Sequence, residues 1–162
     1  MTKVGDLVVY EGYPNLFAGM IAVFQRLLGR KRNHKVYHVG LVVQNTNKFL
    51  HSLYGKGVIY GNTKDTCKGK YTLSLVNPLT TEELAAFREF QKEHVGKHYE
   101  TNLGEFVSSL IDCFSPQERN VKRFFCSELV IEYFISIGRL PKFPASNEYT
   151  PQDVINTNLW NR

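Results

Sequence analysis

The sequence has few cysteines, and none of its apolar runs is long enough to cross a bilayer. The three cysteines, Cys67, Cys113 and Cys126, are odd in number and irregularly spaced, which argues against a disulfide framework and predicts a reducing compartment. The first six residues contain no apolar core of a signal peptide. Because both kinds of apolar segment are absent, the sequence predicts a cytoplasmic protein, in the host cytoplasm if the source is a virus.

Internal repeats, low-complexity tracts and domain linkers are also absent from the 162 residues. The chain is therefore expected to form one domain, 1–162, with a substantial core. Twenty Lys and Arg against fifteen Asp and Glu give a net charge of +5, which suits an anionic partner. Nucleic acid is not expected as that partner, and nothing in the sequence indicates an oligomeric state.

Short β-branched and aromatic runs separated by turn residues fill the first half of the chain. Strands are predicted at 5–10, 36–43, 48–52, 58–60 and 71–76, with a hairpin turn at 44–47. Helices are predicted at 15–28, 80–95, 103–113 and 126–137, and a capped turn at 150–154. This pattern predicts an α+β fold in which an antiparallel sheet of about five or six strands packs against the helix that begins at Cys126.

Cys126 stands where a loop gives way to a helix, and it is the candidate nucleophile. The free N–H groups and the dipole of a helix N-terminus stabilise a thiolate. Together with a neighbouring imidazolium they are expected to lower the pKa of this thiol to between about 3.5 and 7.5. The alternative is a buried structural cysteine, which is common because free cysteine is among the most buried residue types.

A thiol nucleophile needs a base, and His38 is the best candidate because Gly40 leaves space beside it on the same strand face. A symmetric hairpin would place position 38 opposite 51 or 52, so His51 could hold the His38 ring in one tautomer. The alternative for a strand histidine is a half-buried structural side chain. His94 and His98 have the i, i+4 spacing of a metal pair, but the segment lacks the Glu of the metalloprotease pattern and has Gly96 in its middle. Neither a metal nor any other cofactor is therefore predicted.

A basic loop follows the predicted 15–28 helix, whose apolar residues form one broad face. Its candidate anion-binding residues are Arg30, Lys31, Arg32 and Lys35. Helix and loop together are typical of an element that binds an anionic membrane surface or a phosphate group. The alternative is a core helix followed by a solvated loop.

Several short motifs occur in a recognisable order: a Gly5-Asp6 strand, His38-Val39-Gly40, then Phe49-Leu50-His51-Ser52, Gly96-Lys97-His98-Tyr99 and Phe125-Cys126-Ser127-Glu128. In this order, over roughly residues 5 to 155, the chain resembles the circularly permuted papain-like branch of the NlpC/P60 superfamily. That branch includes YiiX/YaeF-like proteins, a poxviral group and lecithin retinol acyltransferase-like enzymes. The resemblance implies a permuted papain-like fold with an antiparallel sheet or partial barrel.

The resemblance also implies roles for individual residues. Cys126 matches the nucleophile, His38 the base, and His51 the third polar position, while the pocket or oxyanion candidates are Tyr10, Tyr37 and Tyr99. The implied activity is that of a cysteine hydrolase, peptidase or acyltransferase that attacks an amide or ester, in a lipid or a peptide, through an acyl-thioester. The alternative is a non-catalytic binding module of the same fold that uses basic loops for anionic lipid or nucleic acid.

Overall fold

The computed structural model describes residues 2–12, 19, 36–44, 47–53, 56–62, 69–98, 125–142 and 149–161. Five strands lie in these ranges: β1 (Leu7–Glu11), β2 (Val36–Gln44), β3 (Lys48–Leu53), β4 (Gly57–Asn62) and β5 (Lys70–Leu73). Three helices follow: α1 (Thr81–His94), α2 (Cys126–Ser136) and α3 (Pro151–Asn156). None of the described helices has the length and apolar character needed to cross a membrane.

The strands form one antiparallel sheet in the order β4-β3-β2-β1-β5. The predicted α+β fold is therefore confirmed, as is the pairing of the 36–43 and 48–52 strands. Asn47 adopts a φ of 66° in the turn between them, a conformation that asparagine tolerates better than most residues. The last strand is shorter than the predicted 71–76, and Leu75 instead forms an isolated bridge to Trp160.

Strand alternation gives the sheet two different faces. One face packs with the helices into the main core, where Leu7, Val9, Val39, Leu41 and Leu50 contact a cluster that includes Cys126 and Tyr133. The opposite face carries a smaller apolar cluster, formed by Val8, Tyr10, Val42 and Phe49, with Tyr37 against it. The sheet is therefore buried on both sides around β1, β2 and β3.

Local capping signals fix the helix starts where the sequence predicts them. Thr80 and Glu83 form a reciprocal capping box at the start of α1, and Thr150 and Asp153 do the same for α3, with Pro151 in its first turn.

The α2 helix is more buried than its sequence pattern indicates. Ser127 and Glu128, predicted to lie on a polar side, are both buried. The reason is that α2 lies between the sheet, α3 and the aromatic side chains of α1, with the Phe87 and Tyr133 ring centroids 4.4 Å apart. Glu128 turns back to accept a hydrogen bond from the N–H of Phe125, at 3.3 Å.

A guanidinium clamp joins the end of α2 to the start of α1. Arg139 donates from Nε and Nη2 to the two carboxylate oxygens of Glu83, each at 2.6 Å, and also to the carbonyls of Asn77 and Pro78. The Tyr133 hydroxyl donates to the Glu83 carbonyl at 3.1 Å. Because Glu83 also caps α1, one side chain fixes both helices relative to each other.

Several sequence predictions lie outside the described residues. These are the 103–113 helix, the 15–28 helix apart from Gly19, the basic residues at 30–35, and Cys67, Tyr99 and Cys113.

Candidate active site

The two central strands are paired with each other over only part of their length. The β2–β3 ladder includes Leu41 with Leu50, Val42 with Phe49 and Gln44 with Lys48. Beyond Leu41, β2 continues to pair with β1 as far as Val36, and β3 continues to pair with β4 as far as Leu53. The ends of β2 and β3 outside their shared ladder carry the two candidate histidines, and the α2 helix packs against both strands.

Cys126 is the first residue of α2, and its side chain is buried in the main core. The backbone N–H groups of Val39, Ser127 and Cys126 bond the sulfur and act to lower its pKa, because such donors stabilise the charged form. Burial is the larger effect, and it raises the pKa of the Cys126 thiol to about 11. The predicted lowering of this pKa is therefore wrong for the resting site, although the N–H donors expected at a helix N-terminus are present.

The bond from Val39 brings the thiol to the main-core face of β2, at the residue that follows His38 in the sequence. Val39 faces the main core and directly follows His38, whose side chain lies on the opposite face of β2. The sulfur thus bonds the backbone of β2 at the residue next to His38, on the stretch of strand that β3 does not pair.

The two histidine rings are hydrogen-bonded to each other. Nε2 of His38 lies 2.8 Å from Nδ1 of His51, with ring centroids 5.0 Å apart. Burial lowers the pKa of His38 to about 3, and the His51 charge adds to that lowering. Burial also lowers the pKa of His51 to about 4, with a smaller contribution from Lys56. Both imidazoles are therefore neutral at physiological pH.

Neutral rings leave two arrangements for the shared proton. When His38 carries its proton on Nε2 and donates it to His51, Nδ1 of His38 is unprotonated and is the nitrogen that can accept a proton from a thiol. When His51 donates instead, Nδ1 of His38 carries a proton and cannot act as a base. The first arrangement is the one that base catalysis requires.

The predicted neighbourhood of His51 is correct, but the predicted register is not. The ladder pairs 41 with 50 and shifts by one residue between Val42 and Gln44. Continued along the strands, this register places Gly40 across from His51, with His38 on the diagonal. A Cβ added at Gly40 would lie 3.0 Å from Cβ of His51, so the missing side chain allows the two rings to meet.

Two of the three candidate tyrosines lie at this site. The Tyr10 ring centroid is 5.4 Å from that of His38 and 6.2 Å from that of Tyr37. The ammonium group of Lys70 lies 5.9 Å from the centre of the Tyr10 ring. Tyr10 and Tyr37 thus form an aromatic cluster on one side of His38, the candidate base, with Lys70 above the Tyr10 ring.

His94 does not take part in this site. It stacks on Phe90 with ring centroids 3.9 Å apart, and its Nδ1 lies 2.8 Å from the Phe90 carbonyl oxygen. In the ranges that the structure describes, no group of three His, Cys, Asp or Glu side chains could hold a metal ion.

Sequence reasoning missed one buried polar residue of α3. Gln152 lies in the first turn of α3, which packs against β2 and α2, and its Oε1 is buried without a hydrogen-bond partner among the described residues. The local signal was the capped Thr150-Pro151 turn, which marks a rigid backbone here but does not show where the Gln152 side chain points.

The comparisons with known proteins bear on the fold. No protein-family model matches the sequence, and no curated protein does. The structure is similar to the crystal structure of the metalloprotein YiiX from Escherichia coli O157:H7, with a TM-score of 0.62 at 16% sequence identity. The match covers 98% of this chain and 94% of that chain. The chain therefore has a YiiX-like α+β fold over nearly its whole length.

Proposed function

We propose that this protein is a cysteine hydrolase or acyltransferase that acts on an amide or ester bond through an acyl-thioester. One observation carries the proposal. The Cys126 thiol at the start of α2 is bonded by the N–H of Val39. His38, the residue before Val39 in the sequence, is hydrogen-bonded at 2.8 Å to the imidazole of His51. A nucleophile, a base and a group that orients the base are the three parts that thiol acyl transfer requires.

The resting pair is neutral, so the proton moves as the bond forms. The Cys126 sulfur attacks the substrate carbonyl carbon while its proton passes to Nδ1 of His38, which gives an oxyanion and an imidazolium. In this proposal, the N–H groups that bond the sulfur at rest donate to that oxyanion. His38 then protonates the leaving amine or alcohol, the carbon–heteroatom bond breaks, and a thioester remains. Water or an acceptor alcohol or amine, deprotonated by His38, releases the acyl group and restores the thiol.

The name of the structural neighbour raises the question of a metal. His38 and His51 would offer two imidazoles, but they are bonded to each other. Across the described ranges there is no set of three ligand side chains, whereas a catalytic zinc site has three protein ligands. The described residues do not fit such a site, and no step of the proposed reaction uses a metal.

The second candidate is a binding protein of the same fold without catalysis. The observation that favours it is the raised pKa of the buried Cys126 thiol, which makes the resting sulfur a weak nucleophile. The two candidates differ in one measurable property, the formation of a covalent acyl group on Cys126.

The decisive experiment is mass spectrometry of the intact protein after mixing with activated esters. The panel should hold p-nitrophenyl esters of short and long acyl chains and of an N-acyl amino acid, which separate lipid-like from peptide-like substrates. We expect an acyl adduct on Cys126, none in Cys126→Ala, and far less in His38→Asn. The matched control, Cys67→Ser/Cys113→Ser, should still be acylated. Acylation only at Cys67 or Cys113 would favour the binding protein.

We also propose that an anionic membrane surface is a partner, on the basis of the basic run from Arg30 to Lys35 in the sequence. Flotation with vesicles that contain phosphatidylserine should carry the protein at low salt and lose it as salt rises. Vesicles of phosphatidylcholine alone are the control, and equal flotation with both would contradict this proposal.

A further inference from the structure

Among the described residues, no hydrogen bond fixes the outer nitrogen of the His51 ring. Nδ1 of His51 bonds His38, but Nε2 is buried without a hydrogen-bond partner in the described part of the chain. A ring held at only one nitrogen can tilt about that bond. Its orientation must therefore be set by packing.

Packing around the ring depends on two glycines on the neighbouring strands. A Cβ built at Gly40 on β2 would lie 3.0 Å from Cβ of His51, and one built at Gly61 on β4 would lie 2.9 Å from Nε2 of His51. Phe49 covers the ring from the same strand, with centroids 4.4 Å apart. His51 thus lies in a channel with bare backbone on both sides and an aromatic ring along its length.

The two glycines differ in what a side chain would meet. At Gly40 the new carbon would lie 2.8 Å from the backbone oxygen of Leu50, which cannot move without disturbing the sheet. At Gly61 its three nearest atoms all belong to side chains: two carbons of the Phe49 ring at 2.5 Å and Nε2 of His51 at 2.9 Å. The Gly61 backbone does not have a positive φ, so alanine is sterically tolerated by the strand itself.

We infer that Gly61 is a positioning residue for the His38–His51 pair and, resting on the proposed function, for the thiol reaction. Its missing side chain lets Nε2 of His51 approach β4, and this approach sets the angle at which Nδ1 of His51 meets Nε2 of His38. A methyl group at position 61 pushes the ring away from β4 and breaks that hydrogen bond. His38 then loses its fixed tautomer and spends part of its time with Nδ1 protonated.

The test is Gly61→Ala with two readouts. The first is the ¹⁵N NMR spectrum of the imidazoles at pH 7, in which loss of the bond shifts the His38 nitrogens toward a tautomer mixture. The second is turnover of the best activated ester, for which we expect kcat to fall about 10- to 100-fold with little change in KM, because the base is misplaced while substrate binding is not. In a His51→Ala background, adding Gly61→Ala should lower kcat by less than a further 2-fold, because the ring through which Gly61 acts is gone.

A second variant, with a smaller side chain at position 49, gives the new methyl group at position 61 more space and so tests whether Gly61→Ala acts by misfolding. Phe49→Leu removes the closer contact, so Gly61→Ala/Phe49→Leu retains only the contact with Nε2 of His51, and Phe49→Leu alone is its reference. Wild-type imidazole shifts in both alanine variants would overturn the inference, as would an equal loss of kcat with and without His51. If the wild-type protein turns over no ester, the proposed function fails, and the NMR comparison still decides the role of Gly61.

Discussion

The buried histidine pair predicts a marked loss of stability in mild acid. In an unfolded chain a histidine has a pKa of about 6.5, whereas in the folded protein the pKa of His38 is about 3 and that of His51 about 4. Between pH 6.5 and these folded values the unfolded chain binds more protons than the folded one, so the free energy of unfolding falls as the pH falls. Above pH 7 both states are neutral at these positions and the effect disappears.

The size of the effect follows from the two pKa values. Between pH 7 and pH 5, protonation stabilises an unfolded histidine by about 1.9 kcal/mol, and the buried folded rings do not gain this stabilisation. The two histidines together therefore lower the free energy of unfolding by about 4 kcal/mol over this range. This is a large part of the 5–15 kcal/mol that stabilises an ordinary domain. Most carboxylates titrate below this window, so the histidines dominate it.

Urea unfolding at pH 7, 6 and 5 measures this directly. We expect the free energy of unfolding of His51→Gln to fall by about 2 kcal/mol less than that of the wild type over the window, because one of the two rings is gone. A wild-type stability that is flat between pH 7 and pH 5, or a His51→Gln slope equal to that of the wild type, would refute the assignment of two buried neutral imidazoles.

Three further predictions concern other parts of the molecule. Iodoacetamide should modify Cys126 slowly at pH 7.4 and about tenfold faster per pH unit toward pH 10, because the pKa of the Cys126 thiol is about 11. The tryptic peptide that contains Cys126 reports the labelling, and fast labelling at pH 7.4 would contradict the burial argument. Arg139→Met should lower the free energy of unfolding, measured in urea titrations, by about 2–3 kcal/mol, because it leaves the Glu83 carboxylate without its bidentate partner. Arg88→Met, on the exposed side of α1, is the control and should leave that free energy unchanged. Gln152→Met should raise the free energy of unfolding by about 1 kcal/mol, since it removes an amide oxygen, Oε1, that is buried without a hydrogen-bond partner among the described residues. An unchanged or lower melting temperature would show that Oε1 has a partner.

Local signals in the sequence were enough to place two of the three described helices, α1 and α3. Thr80 with Glu83, and Thr150 with Asp153, form capping boxes within four consecutive residues, and no tertiary contact is needed to recognise them. The strands that carry His38 and His51 were equally predictable, because two runs rich in β-branched and other apolar residues are separated there by a short run of turn residues. Their register was not, because the shift between Val42 and Gln44 moves the pairing by one residue without any mark in the sequence.

Tertiary packing decided what the sequence could not. Glycine at position 61 reads as an interruption of a short strand, and only the neighbouring Phe49 and His51 side chains show what its missing Cβ allows. The acidic and hydroxyl side chains of α2 read as a solvent face, yet Glu128 and Ser127 are buried because the helix has protein on nearly every side. Burial depends on neighbours that are distant in sequence, so periodicity alone gives only one helix face at a time.

The pKa of Cys126 shows how the same burial acts on the chemistry. A helix N-terminus stabilises a thiolate, and this part of the expectation rests on local geometry that is present, with N–H groups of Cys126 and Ser127 at the sulfur. Desolvation opposes it and is larger, so the resting thiol and the His38 imidazole are both neutral. A neutral pair is resistant to adventitious alkylation and oxidation, because the thiolate is the reactive form. Under the proposed function, the proton transfer would have to be driven by the substrate. The N–H donors that bond the sulfur at rest would then stabilise the oxyanion once the carbonyl is in place, so the negative charge would be favoured only when a substrate is there to carry it.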